Sequence, residues 1–399
     1  MRSHSLLLLP VLTVCALAAK ALASPPVSVD VIPGQTSQGP STVQFVSEQH
    51  GFDGPKVKSL NSTTSDWWYF DVVSSNLDAS VVIAFFSAES TGLWEGIPDL
   101  GTATWAYTII TFPNGTQSVI FFPVDQMTVV TVENGGYATM GNQTGWAGTP
   151  DMSEYWVWVD APDAGIEGNL VLKSVSDSKV AAGHSPCAPA SSPPGQSFEL
   201  GPDFGWNNAV PDADARVDLT INGSRLKFSG SGYHDKNWGS RPIETVVGSW
   251  YWGHARVGPL SIVWFDFIAP DGTEKPSSYV SSDGTLISST CDLAGSVRPT
   301  GVNATFPPNS QSAPASGFRV IIPSQDGGGL TFNITHKEVI YDSPGQAVRW
   351  IGSVSGGFNN GTVWDSGIAL YEQFTFPENR EAHTVRGASC IYIRERVKV

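Results

Sequence analysis

Cysteine is scarce in this chain, which has four in 399 residues. Cys15 lies in an apolar N-terminal segment, which leaves Cys187, Cys291 and Cys390 for the rest of the chain. Three cysteines allow at most one intramolecular disulfide and a free thiol, so a disulfide framework is excluded. We expect Cys291 to pair with Cys390, because both lie in the C-terminal half. The fold must therefore depend on a hydrophobic core, and the length suffices for two domains.

Charged residues are also few, and basic residues are the rarer kind. The chain has 22 Lys and Arg against 37 Asp and Glu, which gives a formal net charge of −15. A surface of this sign repels phosphate groups, so nucleic acids and anionic membranes are disfavoured as partners. No apolar run after the N-terminus is long enough to cross a bilayer, so no membrane span is expected.

The common catalytic motifs are missing as well. The sequence contains no Gly-x-Ser-x-Gly, no His-Glu-x-x-His, no P-loop, no Rossmann glycine pattern and no Cys-x-x-Cys. The histidines are scattered without the spacing of metal ligands. We therefore expect neither a metal nor a cofactor. An enzyme with this sequence has to work through the shape of a pocket and a few polar groups.

The N-terminus does carry a targeting signal. Arg2 and His4 precede apolar runs at 6–9 and 11–19, and the segment ends at Ala21-Leu22-Ala23. This pattern predicts a signal peptide, residues 1–23, cut after Ala23. Together with the sequons that follow, it predicts a secreted, N-glycosylated protein. The acceptor asparagines are Asn61, Asn114, Asn142, Asn222, Asn303, Asn333 and Asn360.

Helical periodicity is nearly absent, while short runs rich in valine, threonine and aromatic residues recur between turn residues. Such runs predict hairpins, for example 102–112 with 116–124 and 215–221 with 225–231. A second series of predicted strands starts at Ser249. We therefore expect an all-β protein.

The predicted strands form two sets. The Pro/Ser/Gly-rich stretch 178–214 interrupts the first set and is predicted to be a long loop. We expect an N-terminal β domain at 24–245 and a C-terminal β-barrel domain at 246–399, with the boundary near 241–248. Many short strands of this kind are typical of sandwiches and barrels.

The first segment that combines aromatic and ionisable residues is Ser65–Asp71. On a strand, Asp66 and Trp68 share one face, and Trp67 and Tyr69 share the other. An acid beside aromatic rings at the start of a strand can orient or protonate a ligand. The alternative, that Asp66 only solvates the start of the strand, is equally compatible with the pattern.

The second segment is Gly232–Gly239, which contains His234, Asp235 and Trp238. It lies next to the predicted domain boundary, and ligand sites favour domain interfaces. The alternative is a structural β-turn whose polar side chains satisfy local backbone amides.

The third segment begins at Trp250. Trp250, Trp252, His254 and Arg256 alternate onto one strand face, and Asp266 interrupts the apolar run that follows. A buried acid needs a partner or a raised pKa, and Arg256 or His254 is expected to be that partner. A purely structural ion pair across the hairpin is as compatible with the pattern as a functional site.

The order and spacing of three motifs resemble the superfamily of carotenoid 1,2-hydratases and lipocalin-like fungal Diels–Alderases. They are Asp-Trp-Trp-Tyr-Phe-Asp at 66–71, Gly-Tyr-His-Asp-Lys-Asn-Trp-Gly at 232–239 and Trp-x-Trp-Gly-His at 250–254. The resemblance implies two lipocalin-like β-barrel or sandwich domains with a hydrophobic pocket between them. Lys236 stands where the hydratases carry histidine, which counts against hydration by their route.

Within that superfamily, the signal peptide and sequons are similar to those of secreted fungal hetero-Diels–Alderases of tropolone–sesquiterpenoid biosynthesis. The resemblance implies inverse-electron-demand cycloaddition of a tropolone-derived o-quinone methide to a humulene-type sesquiterpene alkene. Its partners are then small apolar terpenoid and tropolone-type substrates. A terpenoid hydratase or isomerase and a non-catalytic lipocalin-like carrier stay open as alternatives.

Candidate site residues follow from the motifs and from the apolar run 368–374, where an acid is unexpected. The candidate polar groups are Asp66, His234, Asp235, His254, Asp266, Tyr371 and Glu372. The candidate apolar walls are Trp68, Trp238, Trp252, Trp264 and Trp350.

Overall fold

A computed structural model of the chain describes residues 26–376, except 91–92, 94–96, 177–182, 303, 314 and 325–327. The predicted signal peptide, Asn303 and Cys390 lie outside the described residues. In the described part, no helix is both long and apolar enough to cross a membrane.

Regular structure in the described ranges is almost entirely β-strand, which confirms the predicted all-β class. The strands before residue 240 are β1 (Val27–Pro33), β2 (Thr42–Val43), β3 (Val57–Lys58), β4 (Ser65–Ser74), β5 (Ser80–Ser87), β6 (Thr104–Thr111), β7 (Gln117–Val124), β8 (Gln126–Val132), β9 (Gly135–Met140), β10 (Thr144–Gly148), β11 (Glu154–Ala161), β12 (Ile166–Ser174), β13 (His184–Ser185), β14 (Ala188–Pro189), β15 (Glu199–Gly201), β16 (Phe204–Ile221) and β17 (Ser224–Gly239), with a 3₁₀ turn at Pro162–Ala164.

The remaining elements follow a short helix. They are α1 (Ile243–Val246), β18 (Ser249–Val257), β19 (Leu260–Ile268), β20 (Glu274–Ser282), β21 (Thr285–Thr290), β22 (Ser296–Thr300), β23 (Gly317–Ile322), β24 (Leu330–Ser343), β25 (Ala347–Phe358) and β26 (Val363–Thr375).

Two large antiparallel sheets dominate the fold. The first has the order β1-β8-β9-β10-β11-β12-β16-β17-β4-β5-β6-β7, and the second has the order β21-β20-β19-β18-β26-β25-β24-β23-β22. The two-stranded pair β2-β3 stands apart, the short strands β13 and β15 pair with β16, and β14 pairs with β13. The first sheet ends at Gly239 and the second begins at Ser249.

Strand alternation divides the apolar residues into three cores. On β4, Trp68 and Phe70 pack inside the first sheet, whereas Trp67 and Tyr69 point toward the second sheet, as their spacing predicted. On β18, Trp252 likewise faces the first sheet. Because β4 and β18 are covered on both faces, their side chains are buried almost without exception. The core between the sheets positions the site described below.

The predicted loop 178–214 is wrong over its last part, because β16 already begins at Phe204. Proline, serine and glycine in this stretch suggested a loop, yet its last part forms a strand. Its pairing with β17 shifts register twice between Asn208 and Ala213, which places Pro211 at an irregularity rather than in a regular ladder. The buried side chain of Asn207 finds a hydrogen-bond acceptor inside the protein, because its Nδ2 donates to the Phe52 carbonyl at 2.7 Å.

The alternative interpretation of 232–239, a structural β-turn, is contradicted as well. These residues continue β17, paired with β4 on one side and with β16 on the other. The polar side chains that suggested a turn find partners across the interior instead of in the local backbone. His234 Nε2, for example, lies 3.1 Å from Asp53 Oδ2.

The predicted Cys291–Cys390 disulfide is contradicted by the structure, in which Cys291 pairs with Cys187. The segment around Cys187 packs beside the second sheet, where Ser277 Oγ donates to the Pro186 carbonyl at 2.6 Å. This packing brings the two cysteine Cα atoms to 4.8 Å, although the residues are 104 positions apart.

Candidate active site

A cavity lies between the two sheets, within the core that they share. It opens to solvent. Its lining comes from both sheets: Trp67, Tyr69, Tyr107, Asp235, Asn237, Trp250, Trp252, Phe265, Arg349, Glu372 and Phe374. Aromatic walls with a few convergent polar groups are the composition expected of a small-molecule site.

Alternation along the strands explains which residues face the cavity. Asp235 and Asn237 lie two positions apart on β17, as do Trp250 and Trp252 on β18, and side chains two apart on a strand share one face. Tyr251, which lies between Trp250 and Trp252 on β18, points the other way, into the core of the second sheet.

The aromatic rings form a packed wall. Trp252 meets Tyr69 edge-on, with ring centroids 5.2 Å apart, and Trp250 stacks on Phe374 at 4.7 Å. Such contacts hold the rings in fixed orientations, so the cavity has a defined shape.

Asp235 is a buried acid in the lining of the cavity. Its Oδ2 accepts hydrogen bonds from Trp206 Nε1 and from the Tyr233 hydroxyl, both at 2.8 Å, and its Oδ1 accepts one from Asn237 Nδ2 at 2.9 Å. Burial raises the pKa of Asp235 to about 7, although these donors oppose the rise. Asp235 is therefore partly protonated at neutral pH, as a general acid needs to be.

A buried ion pair forms the opposite polar group. Arg349 donates to Glu372 Oε2 from Nε at 2.8 Å and also from Nη2. Glu372 Oε1 accepts a hydrogen bond from Trp250 Nε1 at 2.9 Å. Because both charges are paired, the pair adds polarity to the cavity without adding net charge.

Of the candidate residues predicted from sequence, the structure brings together Asp235, Glu372 and Trp252 in this cavity. Asp66, Trp68 and Trp238 lie elsewhere, on the inner face of the first sheet. There Asp66 pairs with Lys236, whose ammonium lies 3.4 Å from the centre of the Trp68 ring. Asp66 also accepts the backbone N–H of Lys56 at 2.7 Å, so its observed contacts are structural.

The two candidate histidines lie close to the cavity but outside its lining. His234 is held inside the first sheet by Asp53, as described above. His254 faces the first sheet, where its Nε2 lies 2.8 Å from Asp71 Oδ1, and its ring stacks on Tyr233. Through Tyr233, His254 supports the hydrogen bond that reaches Asp235.

Asp266 has a different partner from the one predicted. It faces the core of the second sheet, accepts the Val297 backbone N–H at 2.9 Å and lies 3.3 Å from Arg298. Burial, together with nearby Glu274, raises its pKa to about 8. The predicted partners point toward the first sheet instead, since Arg256 donates to Asp212 at 2.7 Å.

Tyr371, Trp264 and Trp350 also lie in the core of the second sheet. The Tyr371 hydroxyl lies 2.7 Å from His336 Nδ1, and the His336 ring stacks on Trp350. Tyr371 and Glu372 are adjacent on β26, so alternation alone sends them to opposite faces.

Arg349, Tyr69, Tyr107 and Asn237 were not among the predicted site residues. Arg349 had a detectable signal, because it is the one charged residue in the otherwise apolar stretch 347–352. In the described ranges, no group of three or more His, Cys, Asp or Glu side chains is placed to hold a metal ion.

The two β-sheets hold between them an aromatic cavity with a buried carboxyl whose pKa is raised. This is the composition of a site for a small organic molecule. The family model described as Diels-Alderase-like matches residues 31–377, and the chain belongs to that family. This confirms the resemblance drawn from the three motifs.

Two curated relatives are named quinolone epoxide rearrangement proteins. PenF from Penicillium thymicola is 38% identical over 84% of this chain and 92% of its own length. AsqO from Emericella nidulans is 36% identical over 86% of this chain and 92% of its own. The Diels-Alderase cheD from Chaetomium globosum is 26% identical, over 76% of this chain and 67% of its own length.

The crystal structure of CghA with Sch210972 shares the fold, with a TM-score of 0.70 over 88% of this chain and 100% of CghA, at 16% identity. The predicted lipocalin-like fold is confirmed by this similarity.

Proposed function

We propose that the chain is a pericyclase that joins a tropolone-derived o-quinone methide to a humulene-type sesquiterpene alkene by an inverse-electron-demand hetero-Diels–Alder reaction. The observation that carries the proposal is a buried carboxyl with a raised pKa, Asp235, inside an aromatic cavity. A cycloaddition needs no nucleophile or metal, whereas making its heterodiene from a stable precursor needs an acid.

Asp235 supplies that acid. Its carboxyl donates a proton to the hydroxyl of a hydroxymethyl-tropolone, and the C–O bond breaks to release water. Loss of the proton from the neighbouring ring hydroxyl then leaves the neutral quinone methide. The net change is removal of one water, and the proton that Asp235 gives up is returned by the ring hydroxyl.

The aromatic walls supply the second step. The cycloaddition forms one C–C and one C–O bond without moving a proton, so the protein has only to hold both reactants in a reactive pose. Restraining two reactants can offset roughly 7–11 kcal/mol of a bimolecular barrier. Trp250, Trp252 and Phe265 offer apolar faces to the alkene.

A second candidate function is the acid-opened rearrangement of a quinolone epoxide. The names of the relatives from Penicillium thymicola and Emericella nidulans favour it. Asp235 protonates the epoxide oxygen in this case, and aromatic faces stabilise the positive charge that develops on carbon. Both candidates use the same proton on the same kind of leaving oxygen.

Incubation of the purified protein with the hydroxymethyl-tropolone and humulene tests the proposal. We expect faster formation of one stereoisomer than in buffer, because a shaped cavity holds one pose, and chiral chromatography measures it. Boiled protein is the control. Product at the same rate and isomer ratio with boiled protein contradicts the proposal and favours the carrier alternative. Conversion of a quinolone epoxide but not of the tropolone favours the second candidate.

We also propose that the chain passes through the secretory pathway and carries N-glycans. Supporting this, the acceptor asparagines Asn114, Asn142, Asn222, Asn333 and Asn360 are exposed, so an oligosaccharide has room at each. Asn61 is half-buried.

Endoglycosidase treatment of the protein secreted by a eukaryotic host should lower its intact mass by several glycans. The matched variant Asn222→Gln should lower the untreated mass by one glycan, because it removes one exposed acceptor in a turn. An intact mass that treatment leaves unchanged contradicts the proposal.

A further inference from the structure

Two hydrogen-bond donors in the cavity lining, one from each sheet, make no hydrogen bond of ordinary geometry to the described residues. Arg349 uses Nε and Nη2 on Glu372 and has the Tyr107 hydroxyl within hydrogen-bonding reach, while its Nη1 makes no hydrogen bond of ordinary geometry to any described residue. The Tyr69 hydroxyl likewise makes no hydrogen bond to a described residue. Both side chains are buried. Burying an unpaired donor is unfavourable, so their arrangement suits an oxygen that arrives with a ligand.

The two donors belong to one local structure. The guanidinium carbon of Arg349 lies 5.3 Å from the centre of the Tyr69 ring. Burial raises the pKa of Tyr107, and the guanidinium opposes part of that rise, so the Tyr107 hydroxyl lies beside Arg349 as well. Burial likewise raises the pKa of Tyr69 far above its usual value, so Tyr69 keeps its proton and remains a donor.

The position of Glu372 fixes the direction in which Arg349 can act. Glu372 Oε2 takes both Nε and Nη2, and Trp250 holds the other carboxylate oxygen. The guanidinium is planar and its donors form a rigid fork, so fixing one edge fixes the direction of Nη1. An acceptor bound there meets a donor that needs no rearrangement.

We propose that Arg349 Nη1 and the Tyr69 hydroxyl bind a carbonyl or enolate oxygen of the electron-poor reactant. The identity of that reactant, a tropolone-type ring with adjacent oxygens, rests on the function proposed above. Hydrogen bonds to this oxygen withdraw electron density from the heterodiene and make it a better acceptor for the alkene. A tropolone is a vinylogous acid, and a charged donor binds its oxygens more strongly than a neutral donor does.

Binding of tropolone itself, which cannot react, tests the proposal by titration calorimetry on the glycosylated mature protein. Cycloheptatriene, the same ring size without oxygens, is the comparison probe. We expect at least roughly tenfold tighter binding of tropolone, and a loss of roughly 3- to 10-fold in Tyr69→Phe, the range for one neutral hydrogen bond. Arg349→Lys keeps the positive charge but removes the forked donors of the guanidinium, and should reduce tropolone affinity by more than Tyr69→Phe does.

Thermal unfolding separates binding from folding. Tyr69→Phe removes a hydroxyl that has no partner, so its unfolding midpoint should equal or exceed that of the unsubstituted protein. Tyr137→Phe is the matched control, because Tyr137 is 43% exposed on β9, and it should change neither binding nor midpoint.

Equal affinity for tropolone and cycloheptatriene overturns the proposal. Unchanged tropolone affinity in Tyr69→Phe also overturns it, and this test remains valid if Arg349→Lys fails to fold. Turnover assays keep the two proposals apart. Tropolone binding that depends on both residues, without any product, supports this oxygen site and contradicts the cycloaddition. Stereoselective product formation with unchanged binding in both variants contradicts the oxygen site alone.

Discussion

Replacing Asp235 by asparagine should lower the rate of product formation from the hydroxymethyl precursor by roughly 10²- to 10⁴-fold, the usual contribution of a general acid. An asparagine has the same shape but has no acidic proton to give to the leaving hydroxyl. Its carbonyl can occupy the place of Oδ2 and accept from Trp206 and Tyr233 as the carboxyl does. The measurement is the rate of product formation in a single turnover, with folding checked by circular dichroism.

The pH dependence provides a second readout of the same variant. Burial raises the pKa of Asp235 to about 7, so the acid form is lost, and the rate should fall, as the pH rises through about 7. The cavity tyrosines Tyr69 and Tyr107 do not titrate there, because burial raises the pKa of each above its usual value. The residual rate of Asp235→Asn should be flat across this range.

Above pH 7, the Asp235→Asn substitution should change stability in the opposite direction from activity. An aspartate with a raised pKa in the folded state binds its proton more tightly than the same aspartate in the unfolded chain. The unsubstituted protein therefore loses stability as the pH rises from about 4 to about 7. The asparagine variant has no such loss and should be the more stable of the two above pH 7. Asp160→Asn, at an exposed position on β11, is the matched control and should alter neither rate nor pH profile. An unchanged rate in Asp235→Asn would remove Asp235 from the mechanism.

The sequence could predict the faces of the strands that form the site. Trp67 and Trp68 point to opposite sides of β4, and Trp250 and Trp252 share one side of β18, because a strand alternates with period two. The all-β class followed from composition and turn spacing in the same way. These properties are local, and a single strand carries enough information to fix them.

The partners of buried polar groups could not be predicted, because they depend on contacts between distant strands. Asp235 receives a hydrogen bond from Trp206, 29 positions earlier, and His254 pairs with Asp71, 183 positions earlier. The same cause explains the two wrong assignments on β16 and β17. Polar residues that resemble a loop or turn in sequence are compatible with a buried strand when segments distant in sequence supply their hydrogen bonds, as Phe52 does for Asn207 and Asp53 for His234.

The disulfide was predicted wrongly for the same reason, because its pairing also depends on contacts between segments that are distant in sequence. Cys291 and Cys390 looked like neighbours because both lie late in the chain, but sequence proximity does not determine which segments pack together. The segment that carries Cys187 also carries His184, whose ring stacks on Tyr279 of β20 at 4.9 Å. The Cys187–Cys291 bond therefore ties a segment attached to the first sheet to the far edge of the second.

Removing this bond in Cys187→Ser should lower the free energy of unfolding by about 4.7 kcal/mol, the chain-entropy value for a closed loop of about 100 residues. Because the bond joins segments from both sheets, the cavity between the sheets should lose its fixed width as well, and turnover should fall with stability. Urea unfolding monitored by tryptophan fluorescence measures the loss. Cys390→Ser is the matched control: it should leave stability unchanged if Cys291 pairs with Cys187, and should match Cys291→Ser if Cys291 pairs with Cys390 instead. Equal loss in Cys187→Ser and Cys291→Ser, with none in Cys390→Ser, is the pattern that the packing of Pro186 against Ser277 predicts.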